Sequence, residues 1–195
     1  MKRRGSRERL LEATYSCVAR YGIAKTTVED VAREAKVSRA TVYRIFPGGK
    51  DELVRETVRW EATRFFVELG RAVEGAPDFA TTVVEAIVFA RRALADHAVL
   101  QKILETEPGL LLPYLTVDDQ RLRGLVAAFL EPHLQPERNR LADHVDVAGA
   151  CDHVARLTMS FMAAAGSWDL NDQEEVRRLV ETQLLSGVFA RSSLP

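Results

Sequence analysis

Residues 26–46 run Thr26-Thr27-Val28-Glu29-Asp30-Val31-Ala32-Arg33-Glu34-Ala35-Lys36-Val37-Ser38-Arg39-Ala40-Thr41-Val42-Tyr43-Arg44-Ile45-Phe46, and this stretch decides the fold. Val28, Val31, Ala32 and Ala35 recur at the three- and four-residue spacing of one helical face. Thr26 or Thr27 supplies an N-cap, and Thr26 with Glu29 three residues on has capping-box spacing. Ser38 caps a second helix over 39–46, which Pro47 and Gly48-Gly49 stop. Only Lys36 and Val37 separate the two. Short helices joined this tightly predict a helix-turn-helix, whose second helix enters a DNA major groove about 12 Å wide.

The second helix must keep its apolar residues on one side. Val42 and Phe46, four apart, are expected to face inward and to leave Arg39, Ala40, Thr41, Tyr43 and Arg44 outward. Arg39 and Arg44 suit guanine edges or phosphates, Ala40 and Thr41 are small enough to meet thymine methyls, and the Tyr43 hydroxyl reaches phosphate. Thr26, Thr27 and Ser38 sit at helix starts, where backbone donors hold phosphate. Lys50, opening the next helix, is expected to do the same. In front of them Lys2, Arg3 and Arg4, with Arg7 and Arg9, form a basic arm suited to the DNA backbone or a minor groove.

Working outward, charge separates the same region from the rest. Residues 1–60 carry 14 Lys and Arg against 8 Asp and Glu, net +6, whereas residues 61–195 carry 13 against 20, net −7. A basic first third on an acidic remainder fits one part built to meet a polyanion. The whole chain has 195 residues, 47% hydrophobic and 28% charged, a length that buries a core without disulfides or structural metal. Cys17 and Cys151 make no disulfide framework. Val83 to Ala95 is the longest apolar-looking region, and Glu85, Arg91 and Arg92 interrupt it. The N-terminus has the charge of a signal peptide but no apolar stretch behind it. The expectation is a soluble cytoplasmic protein that does not engage membrane.

Helical periodicity continues through nearly the whole chain. Leu10, Leu11, Thr14, Cys17, Val18 and Tyr21 predict a helix over 6–21 closed by Gly22. Stripes follow from Phe79 to Leu94, from Leu122 to Leu130, and along two long helices over 146–166 and 172–190. Gly75-Ala76-Pro77, Pro108-Gly109, Pro113, Pro132, Pro136 and Gly166-Ser167 punctuate them. No segment alternates with period two. The chain is therefore expected to be all-α, about nine helices, with a helix-turn-helix domain over 1–50 and a helical effector-binding and dimerisation domain over 51–195.

The ordered set of Thr26-Thr27, Val37-Ser38, Tyr43, Phe46-Pro47 and Lys50-Asp51-Glu52-Leu53 resembles the N-terminal domain of TetR-family transcriptional regulators over about residues 6–56. The resemblance implies an all-helical homodimer, three N-terminal helices on DNA, and a larger C-terminal domain that binds a small molecule and dimerises. By that likeness Thr27, Arg39, Thr41, Tyr43 and Lys50 correspond to positions that contact DNA. Two departures stand out. Lys36 occupies a helix end where the family usually has glycine, which costs about 1 kcal/mol of strain or forces another turn geometry. Arg44 stands where histidine is frequent, which bears on the operator sequence.

The C-terminal part carries no matching motif. Its large apolar residues, Trp60, Phe65, Phe66, Phe89, Ile103, Leu104, Tyr114, Leu122, Phe129, Met159, Met162 and Trp168, are candidates to line a pocket for a lipophilic effector. The last two helices, with Ala163, Ala164, Ala165, Ser186 and Gly187, are expected by resemblance to form a four-helix dimer interface.

No metal site, cofactor or catalytic group is expected. Cys151 and His153 are two apart on one helix and point about 200° away from each other, and no nucleophile has a recognisable base. The sequence reading is a ligand-responsive regulator, a repressor of a palindromic double-stranded operator. Its rival is a helical ligand-carrier or interaction protein whose basic end meets another anionic surface.

Overall fold

In the computed structural model residues 5–110 and 119–190 are described. Among them the secondary structure is helical apart from one isolated bridge between Leu141 and Phe189. The helices are α1 (Ser6–Lys25), α2 (Val28–Glu34), α3 (Arg39–Ile45), α4 (Gly49–Ala72), α5 (Phe79–Asp96), α6 (Ala98–Thr106), α7 (Asp119–Leu134), α8 (Val147–Ala163) and α9 (Gln173–Leu179). A 3-10 turn, Gln135–Arg140, follows α7, and a π turn, Val180–Leu184, continues α9.

The helix ends follow from local chemistry. Thr27 caps α2 by a capping box: its Oγ1 accepts from Asp30 N at 3.2 Å, and its own N–H donates to Asp30 Oδ2 at 3.2 Å. The box therefore lies one residue later than the expected Thr26–Glu29 pair. The α2 terminus is a Schellman turn, with Val37 N donating to Ala32 O at 2.9 Å and Lys36 N to Arg33 O at 3.2 Å. Lys36 holds the left-handed position, φ 56°. Ser38 Oγ accepts from Thr41 N at 3.2 Å and starts α3.

The described residues form two compact units, and the chain first passes from one to the other between Phe65 and Phe66, within α4. One unit holds α1–α3, the first part of α4, and α6. Leu10, Leu11 and Cys17 of α1, Val28, Val31 and Ala32 of α2, Val42, Phe46 and Leu53 make its core. A satellite cluster joins Val18, Ile23, Val54 and Ile103. Tyr21, expected on the buried stripe of α1, is 41% exposed, and the helix, expected to close at Gly22, breaks there and continues to Lys25.

The other unit holds the end of α4 with α5, α7, α8 and α9. Phe79, Val83 and Ile87 of α5 pack with Leu130 and Leu134 of α7, Cys151 and Val154 of α8, and Val176 and Leu179 of α9. The α9 pattern predicted a helix to residue 190. Instead the backbone widens into the π turn at Val180 and leaves helix after Leu184, and the end of the chain pairs with the 140–142 segment: Ala142 N donates to Val188 O at 3.0 Å and Ala190 N to Arg140 O at 2.9 Å. Val188 and Phe189 are buried by that pairing, so their apolar spacing reflects an extended segment on the core. Likewise α8 ends at Ala163, three residues short of the expected Gly166.

Candidate nucleic-acid interface

The exposed face of α3 is built by burying its other side. Val42 is fully buried and Phe46 1% exposed, and both belong to the core shared with α1 and α2. Helical geometry then leaves Arg39, Ala40, Tyr43 and Arg44 exposed together, with Thr41 half-buried. Arg39, Ala40, Tyr43 and Arg44 thus face outward as expected, whereas Thr41, expected outward with them, is partly covered. Tyr43 is 42% exposed and stands over Gly49: a β-carbon on Gly49 would lie 3.2 Å from Tyr43 Cε1. Gly49 also takes φ 61°. In the sequence it reads only as a helix stop, and the glycine that opens space for an aromatic ring carries no separate signal.

Electrostatics tie this face to its neighbours. Arg39 Nη1 pairs with Glu29 Oε1 of α2 at 2.6 Å, and the guanidinium lies 5.9 Å from the Tyr43 ring centre. The Tyr43 hydroxyl and then the Glu29 carboxylate raise the Arg39 pKa above its ordinary value. Glu29 was not among the expected site residues, since only the folded turn brings α2 and α3 into register. Arg44 is exposed beside them. The Thr27 hydroxyl holds the Asp30 carboxyl below the usual carboxylate range, helped by the Thr27 N–H and Arg33.

Several expected contacts are otherwise engaged. Thr26 is buried, and its hydroxyl donates to Gly22 O at 2.6 Å, which removes it from any phosphate. Lys50 donates to Ala24 O at 2.7 Å, leaving two of its three donors. The Ser38 and Thr41 hydroxyls lie 3.0 Å apart, within the cap of α3. Arg7 does not trail as an arm: it pairs with Glu56 of α4 and covers the Phe46 ring at 5.2 Å. Arg3 and Arg4 lie outside the described residues.

The candidate effector residues are divided between the two units. Trp60 packs on the core of the first unit with Arg64 4.9 Å from its ring centre, while Ile103 and Leu104 belong to the satellite cluster around Val18. In the second unit Phe66 and Phe129 lie 6.0 Å apart, and Phe129, Met162 and Trp168 pack against the core. Phe65, Phe89 and Met159 are half-buried, and Leu122 is exposed. Tyr114 lies outside the described residues. A cleft of about 570 Å³ opens elsewhere in the second unit, lined by Asp143, His144, Asp146, Gly149, His153 and Gly187 among others, and no candidate effector residue lines it. Among the described residues no group of three or more His, Cys, Asp or Glu side chains is placed to hold a metal ion, and no helix is long and apolar enough to cross a membrane.

Residues 10–57, which contain α1 to α3 and the start of α4, match the family model of bacterial regulatory proteins of the tetR family. Over these residues the chain is similar to the DNA-binding domain of the TetR family. Uncharacterized HTH-type transcriptional regulators of Mycobacterium tuberculosis and Mycobacterium bovis are 51% identical to it over 39 residues, 20% of this chain and 21% of theirs. The match thus spans about a fifth of the curated relatives. Solved structures extend the likeness to the whole fold. The TetR-family repressor AlkX of Dietzia sp., implicated in biodegradation of n-alkanes, superposes with TM-score 0.68 at 20% identity over 96% of this chain and 99% of its own. The repressor QsdR of R. erythropolis gives 0.63 at 16% identity, covering 95% and 97%. SmeT, repressor of the Stenotrophomonas maltophilia multidrug efflux pump SmeDEF, gives 0.58 at 21%, covering 98% and 94%. At these identities the shared property is the fold: a TetR-type helix-turn-helix domain followed by a helical C-terminal domain.

Proposed function

We propose that this chain is a ligand-responsive transcriptional repressor that holds a two-fold related operator and leaves it when a small hydrophobic molecule binds. The observation that carries the reading is the α3 face, which displays Arg39, Ala40, Tyr43 and Arg44 from a helix anchored by Val42 and Phe46. Arginine forks suit guanine O6 and N7, and the tyrosine hydroxyl suits phosphate. Thr27, Ser38, Thr41 and Lys50 flank that face as phosphate and positioning groups, with Arg3 and Arg4 as the basic arm. Thr26 drops out because its hydroxyl is used internally.

The repressor sense is supported by AlkX, QsdR and SmeT, each a repressor of this fold, and a small-molecule effector by the structure of SmeT with triclosan. Residues 51–195 would supply the effector site and the dimer contact, and residues 1–50 the DNA contact. No catalytic step enters this reading. As a homodimer the protein would set two α3 helices about 34–36 Å apart, one duplex turn.

The test is the double variant Arg39→Ala with Tyr43→Ala. It should lose all preference for the operator and keep weak, salt-sensitive binding to any duplex. Retained preference would place recognition elsewhere. Light scattering should give twice the 21.8 kDa chain mass, and a value near one chain at micromolar concentration contradicts the dimer.

A further inference from the structure

Gly22 interrupts α1 one turn before its end. Its φ of 83° and ψ of 170° lie in a region that only glycine occupies freely. In an unbroken helix the Ile23 N–H would donate to the Ala19 carbonyl and the Ala24 N–H to that of Arg20. Here α6 completes both sides of the break. The Lys102 ammonium donates to Ala19 O at 2.9 Å. The Glu107 carboxylate, at the end of α6, accepts from Ile23 N at 2.6 Å and from Ala24 N at 3.2 Å. The charges match the groups they meet, a cation on a carbonyl end and an anion on an amide end.

Packing agrees with the polar contacts. Ile103, between Lys102 and Glu107, is buried with Val18 and Ile23 from either side of the break and with Val54 of α4. A β-carbon at residue 22 would come within 2.9 Å of the Glu107 carboxylate oxygens, so glycine provides both the backbone angle and the room for that approach. The segment after the break leads straight into the recognition unit. Thr26 Oγ1 donates back to Gly22 O, Lys50 donates to Ala24 O, and Thr27 caps α2. Residues 22–26 are thus held through their amides by α6 and through their carbonyls by Thr26 and the start of α4.

We propose that Lys102 and Glu107 are positioning residues for DNA recognition: they clasp the break in α1, fix the direction in which the chain enters α2, and so set the attitude of α3. This rests on the DNA-binding reading above. Neither residue belongs to the α3 face, so both act through the backbone of α1.

The full chain and its Glu107→Ala, Glu107→Gln and Lys102→Met variants are compared in three ways: amide hydrogen exchange of residues 22–26, thermal melting, and titration with an operator and with an unrelated duplex. Glu107→Ala should speed exchange at Ile23 and Ala24 and weaken operator binding about tenfold, within the usual range of coupling between sites. Binding to the unrelated duplex and its salt dependence should stay the same, because the phosphate contacts are untouched. Glu107→Gln, which keeps an acceptor oxygen, should fall between and serves as the comparison if Glu107→Ala does not fold. A role in stability alone would lower both affinities by the same factor, the fraction unfolded, and would overturn the proposal. Faster exchange with unchanged operator affinity would also overturn it, as would exchange that Glu107→Ala leaves unaltered. A wild-type chain without operator preference removes the DNA-binding reading and the positioning role with it, while the exchange data still report separately whether the clasp forms.

Discussion

Arg39 of α3 and Glu29 of α2 form an ion pair at 2.6 Å, so the guanidinium at the head of the recognition face is already held by a carboxylate before DNA arrives. Both side chains are about half exposed, 58% and 50%. An exposed pair of this kind contributes less than about 1 kcal/mol to stability, and a phosphate or a guanine edge competes with the carboxylate for the same donors. Glu29→Gln should therefore leave the melting temperature nearly unchanged and tighten DNA binding several-fold, more at low salt than at high. Fluorescence anisotropy at two salt concentrations measures this. Weaker binding in Glu29→Gln would mean that the carboxylate orients Arg39 for its contact rather than competing for it.

Lys36 bears a strain that the sequence already announces. Its φ of 56° closes the Schellman turn of α2, a place where glycine costs nothing sterically. Lys36→Gly should raise stability by up to about 1 kcal/mol, with part of the gain offset by the freer unfolded chain. Urea unfolding of the two proteins gives the difference. A loss of stability would show that the lysine stem contributes more by packing than the left-handed backbone costs.

Thr27 and Asp30 make a pH-dependent cap. The Asp30 carboxyl is held below its ordinary value chiefly by the Thr27 hydroxyl. A carboxylate whose folded pKa is lowered contributes stability above its unfolded pKa and loses it as pH falls through the folded one. Thr27→Ala should cost about 1 kcal/mol at neutral pH. The gap from wild type should narrow in acid, as pH falls from the ordinary aspartate pKa of about 3.9 through the lower folded one. Denaturation curves at both pH values test the sign, and a gap that widens in acid contradicts it.

Both cysteines should be inert in the native protein. Burial pushes the Cys151 thiol up to about 11, helped by Glu131, and burial likewise raises Cys17. Thiolate is the reactive species, so iodoacetamide at pH 8 should leave the folded chain unmodified and add two groups in urea. Mass spectrometry reads the result. Rapid native alkylation at either position would mean that its helix opens locally.

The helix-turn-helix was legible because its signals are local. Val42 and Phe46 four apart, the Ser38 cap and the two-residue turn each act within one or two helical turns, and the structure places all of them as read. What was misplaced depends on neighbours that an apolar stripe does not reveal. Thr26 and Thr27 look alike in a string, but Thr26 ends α1 and its hydroxyl donates back to Gly22 O, which leaves the capping box to Thr27 and Asp30. The apolar run to Val188 has helical spacing, yet its last residues are buried by pairing with the 140–142 segment, a relation across some fifty positions. Where Trp60 and Ile103 pack is likewise set by which helices meet and not by residue type: Trp60 lies half-buried against the first unit's core and Ile103 in the cluster with Val18 and Val54. Lys102 and Glu107 were invisible for the same reason: their partners are backbone atoms of α1 over eighty residues away.

Repression as proposed depends on α3 reading a specific operator. The most direct test is to incubate the purified chain with fragments of its source genome and sequence what it retains at physiological salt. A small number of strongly enriched sites, each with two-fold symmetry and half-sites about one duplex turn apart, is the predicted result. Fragments retained without common sequence, in proportion to their length, would show binding to phosphate alone and would contradict it.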